Sequence, residues 1–170
     1  MVTATAEKII DRKRVLIVED DQDMNDLLCG LMSGAGYDTY SAADGMLAAE
    51  MAREYKPDVI LLDIMLPGKN GIDICKELSR EASTSAIPVI IVSVKNDVHT
   101  KLSAFIAGAK RYITKPFGVE DIVNEVRKTL RQKELTSGVD HYRDKCNGKG
   151  DYGVFPTNFE SMTEVCDKEI

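Results

Sequence analysis

Apolar residues along the chain fall into two rhythms. Val15-Leu16-Ile17-Val18, Val59-Ile60-Leu61-Leu62 and Val89-Ile90-Ile91-Val92 are short continuous runs rich in β-branched residues. Such runs read as strands buried on both faces. Between and after them, apolar residues recur three and four positions apart, the spacing of a helix with one buried face. A first helix is expected over about residues 23 to 35, with Met24, Leu27, Leu28, Leu31 and Met32 on one face. Asp21 or Asp23 is placed to cap it, and Gly34 and Gly36 to end it. Residues 37 to 42 form a short strand, and Asp44-Gly45 opens a second helix carrying Met46, Leu47, Ala49, Met51 and Ala52. A third helix runs from Gly71 to about Glu81 with Ile72, Ile74, Cys75 and Leu78. The fourth, from about Val98 to Ala107, turns Leu102, Phe105 and Ile106 inward. Arg111 to Thr114 is a fifth strand, closed by Lys115-Pro116. The last helix, from about Val119 to Lys133, places Ile122, Val123, Val126 and Leu130 on one face. Five strands thus alternate with five helices. Right-handed crossovers turn that alternation into an α/β fold, a five-stranded parallel sheet with helices on both faces.

Composition narrows the setting. The 170 residues allow one ordinary domain and a tail. We divide the chain into a leader at 1–12, a domain at 13–133 and a flexible tail at 134–170. Hydrophobic content of 44% with 29% charged residues belongs to a globular chain rather than a disordered one. No apolar run approaches the roughly 20 residues that cross a bilayer. Residues 1–14 lack the apolar core of a signal peptide, so a cytoplasmic protein without a membrane partner is expected. The net charge of −6 argues against nonspecific nucleic-acid binding. The tail holds eight acidic and four basic residues, and its roughly 35 residues are too few for a DNA-binding output domain with its own core. Within it, Thr157 and Glu160 form a capping box, and Phe159, Met162 and Cys166 share one face of a short helix. Cys29 and Cys75 lie in helical apolar patterns as small hydrophobes. Cys146 and Cys166, with His141 nearby, lack a fourth ligand at a spacing that suits a metal.

The candidate chemistry lies at the strand ends. Strands one, three, four and five end in Glu19-Asp20, Asp63, Ser93 and Lys115, and a parallel sheet brings those ends to one edge. Three carboxylates suit a hard cation such as Mg²⁺, which retains water and recruits phosphate oxygens. Lys115 offers a point charge for a phosphoryl group and Ser93 a hydroxyl donor. Asp63 is the central carboxylate and the candidate nucleophile. Taken alone, Asp63 could equally cap a helix; the constellation reads as a Mg²⁺-dependent phosphoryl-transfer site.

The segments VLIVEDD, LLDIMLPGKNG, VIIVS and GAKRYITKPF, in this order and spacing, resemble the receiver domains of two-component response regulators, the CheY-like (βα)5 fold. The resemblance runs from about Lys13 to Lys133. It implies that Asp63 accepts a phosphoryl group from a sensor histidine kinase or phosphotransfer protein. It implies that Asp20, Asp63 and the backbone carbonyl of Met65 hold Mg²⁺, with Glu19 reaching it through water. Ser93 and Lys115 would bind phosphoryl oxygens, the Lys115–Pro116 bond would be cis, and Tyr112 would be the switch aromatic, with Ser93 the other switch residue. The altered surface would then engage a downstream protein target.

Three positions depart from the usual pattern: Val94 stands where a smaller Ala is common, Ser93 replaces Thr, and Lys110-Arg111 replace an acidic pair. In many DNA-binding receivers, an acidic residue just before the switch aromatic pairs with an Arg on the last helix of a second copy. Here those places hold Arg111 and Glu125, which read either as two unrelated exposed residues or as a preserved pair with exchanged charges that would support a phosphorylation-dependent homodimer. Two other classes compete. A Mg²⁺-dependent phosphatase with an aspartyl-phosphate intermediate would carry a second Asp where Met65 stands. A pseudo-receiver that only binds would not need the full set of Glu19, Asp20, Asp63, Ser93 and Lys115.

Overall fold

In the computed structural model the apolar runs form the middle of one sheet. The structure describes residues 12–146, with side chains described for 12–136. The chain divides into two units at residues 134 and 135. The strands are β1 (Arg14–Val18), β2 (Asp38–Ala42), β3 (Val59–Leu62), β4 (Val89–Ser93) and β5 (Arg111–Thr114). They lie in the order β2-β1-β3-β4-β5 and every pairing is parallel. The helices are α1 (Gln22–Gly34), α2 (Gly45–Tyr55), α3 (Gly71–Arg80), α4 (Val98–Ile106) and α5 (Val119–Cys146).

Side chains alternate across the sheet, as a pleated strand requires. Val15, Ile17, Val59, Leu61, Ile90 and Val92 face one way and pack with Leu28 and Met32 of α1 and Ile122, Val126 and Leu130 of α5. Leu16, Val18, Ile60, Leu62 and Ile91 face the other way, toward Ala48 and Ala52 of α2 and Ile74, Cys75 and Leu78 of α3. Each large apolar side chain removed from water there contributes about 1.5–3 kcal/mol before entropy is counted. The three central strands are buried on both faces, which is why their sequences are continuous apolar runs rather than alternating ones.

Four helices start on side-chain caps. Asp21, Asp44, Asn70 and Asp97 accept hydrogen bonds from the backbone N–H groups of Met24, Met46, Ile72 and Thr100, each at 2.8 Å. Asp21, not Asp23, therefore caps α1.

The structure corrects the expected helix faces in several places. On α4 only Ala104 is buried. Leu102 is 55% exposed, Phe105 48% and Ile106 78%, so the face expected to turn inward meets solvent. Leu27 on α1 and Met46 and Leu47 on α2 are also exposed. Periodicity identifies an apolar face but not what covers it. The last helix does not stop near Lys133 but continues to Cys146. The expected short helix around Phe159 lies outside the described residues. Among the described residues, no helix is long and apolar enough to cross a membrane.

Candidate functional site

The parallel register places the C-terminal ends of β1, β3, β4 and β5 side by side, and the sequence puts a polar group at each. Glu19 and Asp63 are the first residues beyond β1 and β3. Lys115 follows β5 and Ser93 ends β4. The Asp63 amide donates to the Val18 carbonyl (3.0 Å) and the Lys115 amide to the Ser93 carbonyl (2.9 Å), so the ladder continues into the site.

Lys115 holds the two buried carboxylates together. Its Nζ lies 2.7 Å from Glu19 Oε2 and 2.9 Å from Asp63 Oδ2. The three side chains are only 10%, 2% and 8% exposed in that order. Burial pushes the Lys115 ammonium down, but its hydrogen bonds to Glu19 and Asp63 outweigh that and raise it above the ordinary Lys value. Burial raises the Glu19 carboxyl, Lys115 offsets this only in part, and the like charge of Asp63 adds to the rise. Both groups are raised, for different reasons: Lys115 by its two anionic partners and Glu19 by burial, against the opposing pull of Lys115. Removing Lys115 would leave two buried carboxylates facing each other uncompensated.

The other Asp63 oxygen, Oδ1, accepts from the Met65 amide at 3.2 Å. Carboxylate oxygens of Glu19, Asp20 and Asp63 all lie within 4.8 Å of one another, and Asp20 is exposed. Asp20 and the loop from Ile64 to Asn70 line an open groove with Lys95, so the cluster is reachable from solvent. The Lys115–Pro116 peptide is cis, as the resemblance implied.

The structure brings Glu19, Asp20, Asp63 and Lys115 into one cluster, with Met65 attached through its amide. Ser93 is fully buried at the end of the neighbouring strand, its Oγ 3.5 Å from the Lys95 amide. Tyr112 is half-buried, and its hydroxyl donates to the Lys95 carbonyl at 2.7 Å. Val94 is exposed rather than turned into the site. Arg111 and Glu125 do meet, but within one chain: Arg111 Nε is 3.3 Å from Glu125 Oε2. Arg111 also donates to Gln132, and Lys128 Nζ lies 2.8 Å from Glu125 Oε1.

Sequence reasoning missed three contributors. Gly71, the first residue of α3, packs so closely on β3 that a Cβ there would stand 2.0 Å from the Asp63 carbonyl oxygen. Its position eight residues after Asp63, in a loop already holding Gly68, was the available signal. Asn25 is buried on α1 and donates to the Glu19 carbonyl at 3.1 Å, tying the helix to the acidic strand end. Lys95, two residues beyond a strand end that carries a candidate hydroxyl, links Ser93 to Tyr112 through its backbone.

With this geometry in view, comparison with known proteins is specific. Residues 15–127 match the model of the response regulator receiver domain. The DNA-binding dual master transcriptional regulator RpaA of Synechocystis is 34% identical over 149 residues, covering 88% of this chain and 61% of that protein. The DNA-binding response regulator MtrA of Mycolicibacterium smegmatis is 38% identical over 123 residues, covering 72% of this chain and 53% of that one. The chain thus spans little more than half the length of these relatives. Among solved structures, a response regulator from Chloroflexus aurantiacus superposes with a TM-score of 0.68 at 32% identity, covering 71% of this chain and 98% of that one. The beryllofluoride-activated receiver domain of Klebsiella pneumoniae RstA gives 0.65 at 28% identity, covering 70% and 99%. Motifs, site geometry and fold agree: the chain belongs to the response regulator receiver domain family of two-component signalling.

Proposed function

We propose that residues 13–133 are a phosphoacceptor switch, with Asp63 as the acceptor and 134–170 as an appended tail. The observation that carries this is the Asp63 carboxylate itself. It sits at the end of the central strand, with Lys115 on one oxygen and the Met65 amide on the other. Glu19 and Asp20 bring further carboxylate oxygens within 4.8 Å. An oxygen-only donor set with one exposed member fits a hard divalent cation that keeps part of its water. Asp20, Asp63 and the Met65 carbonyl would hold Mg²⁺, with Glu19 reaching it through water. Bound there, Mg²⁺ would neutralise charge on the carboxylates and on the incoming phosphoryl oxygens.

The transfer follows from the residues present. An Asp63 oxygen attacks the phosphorus of a phosphohistidine on a sensor kinase or phosphotransfer protein. The P–N bond breaks, and the imidazole leaves with its electron pair and takes a proton from water. Lys115, already aimed at Asp63 Oδ2, then pairs with a phosphoryl oxygen, and the Ser93 hydroxyl donates to another. Ser93 joins Tyr112 through the Lys95 backbone, so this second contact is the route to the surface formed by α4, β5 and α5. The proposed output is altered affinity for a downstream protein.

The only turnover expected is formation and loss of the protein's own acyl phosphate. Met65, two residues after Asp63, offers no acid for processing an external substrate, which disfavours the phosphatase reading. The complete acidic and basic set disfavours the pseudo-receiver. A phosphorylation-dependent homodimer on the same face would exchange the intrachain Arg111–Glu125 contact for an interchain one. An exposed pair is worth about 0.2–1 kcal/mol, so that exchange costs little.

Incubation with acetyl phosphate and Mg²⁺, followed by intact mass, tests the assignment. Wild type should gain one phosphoryl group and Asp63→Asn none. A gain on Asp63→Asn, or none on wild type, contradicts it.

A further inference from the structure

The loop from Val94 to Asp97 joins the buried Ser93 to α4, and it is held from one side by two neighbouring groups. Tyr112 donates its hydroxyl to the Lys95 carbonyl at 2.7 Å. Lys101, one turn into α4, donates to Asn96 Oδ1 at 2.6 Å. The same ammonium lies 5.6 Å from the centroid of the Tyr112 ring, within the range of a cation–π contact. Thr114 Oγ1, on β5, reaches Asn96 Oδ1 at 3.4 Å. A single half-buried cation therefore contacts both the amide of Asn96 and the ring that fastens Lys95. The helix carrying it has little other anchorage, because Ala104 is its one buried residue.

We propose that Lys101 is a positioning residue: it latches the Lys95–Asn96 segment and the Tyr112 ring in the unphosphorylated arrangement and so sets the resting side of the switch. This rests on the phosphoacceptor reading above. For the Lys95 peptide to shift toward a phosphoryl group on Asp63, the Tyr112 bond to its carbonyl and the Lys101 bond to Asn96 must stretch or break together. The latch opposes that shift, and its removal favours it. A cation–π contact together with one charge-assisted hydrogen bond at a partly exposed site corresponds to roughly a three- to tenfold bias in the equilibrium. Lys101→Met keeps the aliphatic length and removes the charge, whereas Lys101→Arg keeps a cation that can donate to Asn96 and stack on the ring.

The test is a beryllofluoride titration of the full chain with Mg²⁺, followed by NMR of the Lys95 and Asn96 amides and the Tyr112 ring. For Lys101→Met, the concentration giving half conversion should fall about three- to tenfold relative to wild type. Its resonances without beryllofluoride should already lie partway toward the converted positions. Lys101→Arg should stay near wild type, and Lys101→Met should have a smaller effect in an Asn96→Ala background, where only its contact with the Tyr112 ring is left to lose. A merely structural role for Lys101 would lower thermal stability without moving the midpoint. An unchanged midpoint and unmoved Tyr112 signals in Lys101→Met, with wild type responding normally, would overturn the latch alone. A wild type that does not respond to beryllofluoride and Mg²⁺ would overturn the phosphoacceptor reading and the latch with it.

Discussion

Helices α3 and α4 occupy matching places in the fold: each is reached by a loop from a strand that delivers a site residue. They are seated very differently. α3 begins on Gly71, pressed against the Asp63 backbone, and buries Ile74, Cys75 and Leu78 completely. α4 buries only Ala104 and leaves Val98 81% exposed, with Leu102, Phe105 and Ile106 also facing solvent. The caps differ as well, a neutral Asn70 for α3 and a titratable Asp97 for α4. The Asp63 carboxylate is therefore fixed to a rigid support, while the hydroxyl end of the site is attached to an element with few contacts to lose. Regions of low contact density are the ones that open locally. A switch needs both properties, a fixed place for the phosphoryl group and a neighbour free to respond.

Substitutions should separate the two helices most strongly. Ile74→Ala or Leu78→Ala removes a fully buried side chain and should cost about 2–5 kcal/mol in urea unfolding. Leu102→Ala should stay within about 0.5 kcal/mol of wild type. Comparable losses from both helices would mean that α4 is packed as firmly as α3.

Acid should loosen one cap and spare the other. The Thr100 backbone N–H, hydrogen-bonded to Asp97, holds that carboxyl below its ordinary value of 3.8. A depressed acid stabilises the folded helix above its unfolded value, and that support is lost as pH falls through the depressed one. Amide exchange and shifts at the start of α4 should therefore change below about pH 4, with those at Ile72 on α3 unaffected. Asp97→Asn should abolish the α4 transition. Persistence of the transition in that variant would place its origin elsewhere.

Thiol chemistry gives a smaller effect. Burial alone pushes the Cys75 thiol of α3 up to about 11. Cys29, half-buried on α1, is also raised by burial, but Ser41 and Thr39 partly offset this. Peptide mapping after iodoacetamide at pH 8 should find Cys29 alkylated before Cys75. Equal rates would show that α3 opens more readily than its packing implies.

The sheet was legible because its central strands carry their burial in continuous apolar runs, and strand-end residues declare themselves once the topology is parallel. Glu19, Asp20, Asp63 and Lys115 could be grouped on that basis, and the structure does group them. Less visible was what each helix packs against. Leu102, Phe105 and Ile106 have helical spacing whether they face a core or solvent, so spacing alone does not orient α4. Contacts between distant residues were hidden for a related reason. Tyr112 to Lys95 and Lys101 to Asn96 depend on where a loop passes β5, and no spacing in the sequence encodes that. The sequence offers Arg111 and Glu125 as a pair across two copies, whereas in the fold the same two residues reach each other within one chain. Gly71 reads in sequence as a helix start, and its closeness to the Asp63 carbonyl becomes apparent only in three dimensions.

Amide hydrogen exchange across both helices, with and without beryllofluoride and Mg²⁺, tests the central contrast most directly. Peptides covering Lys95 to Ile106 should change protection on addition of the phosphoryl mimic, while those covering Gly71 to Arg80 should keep theirs. Equal changes in the two helices, or a change confined to α3, would contradict the assignment of α3 as the fixed support and α4 as the responding element.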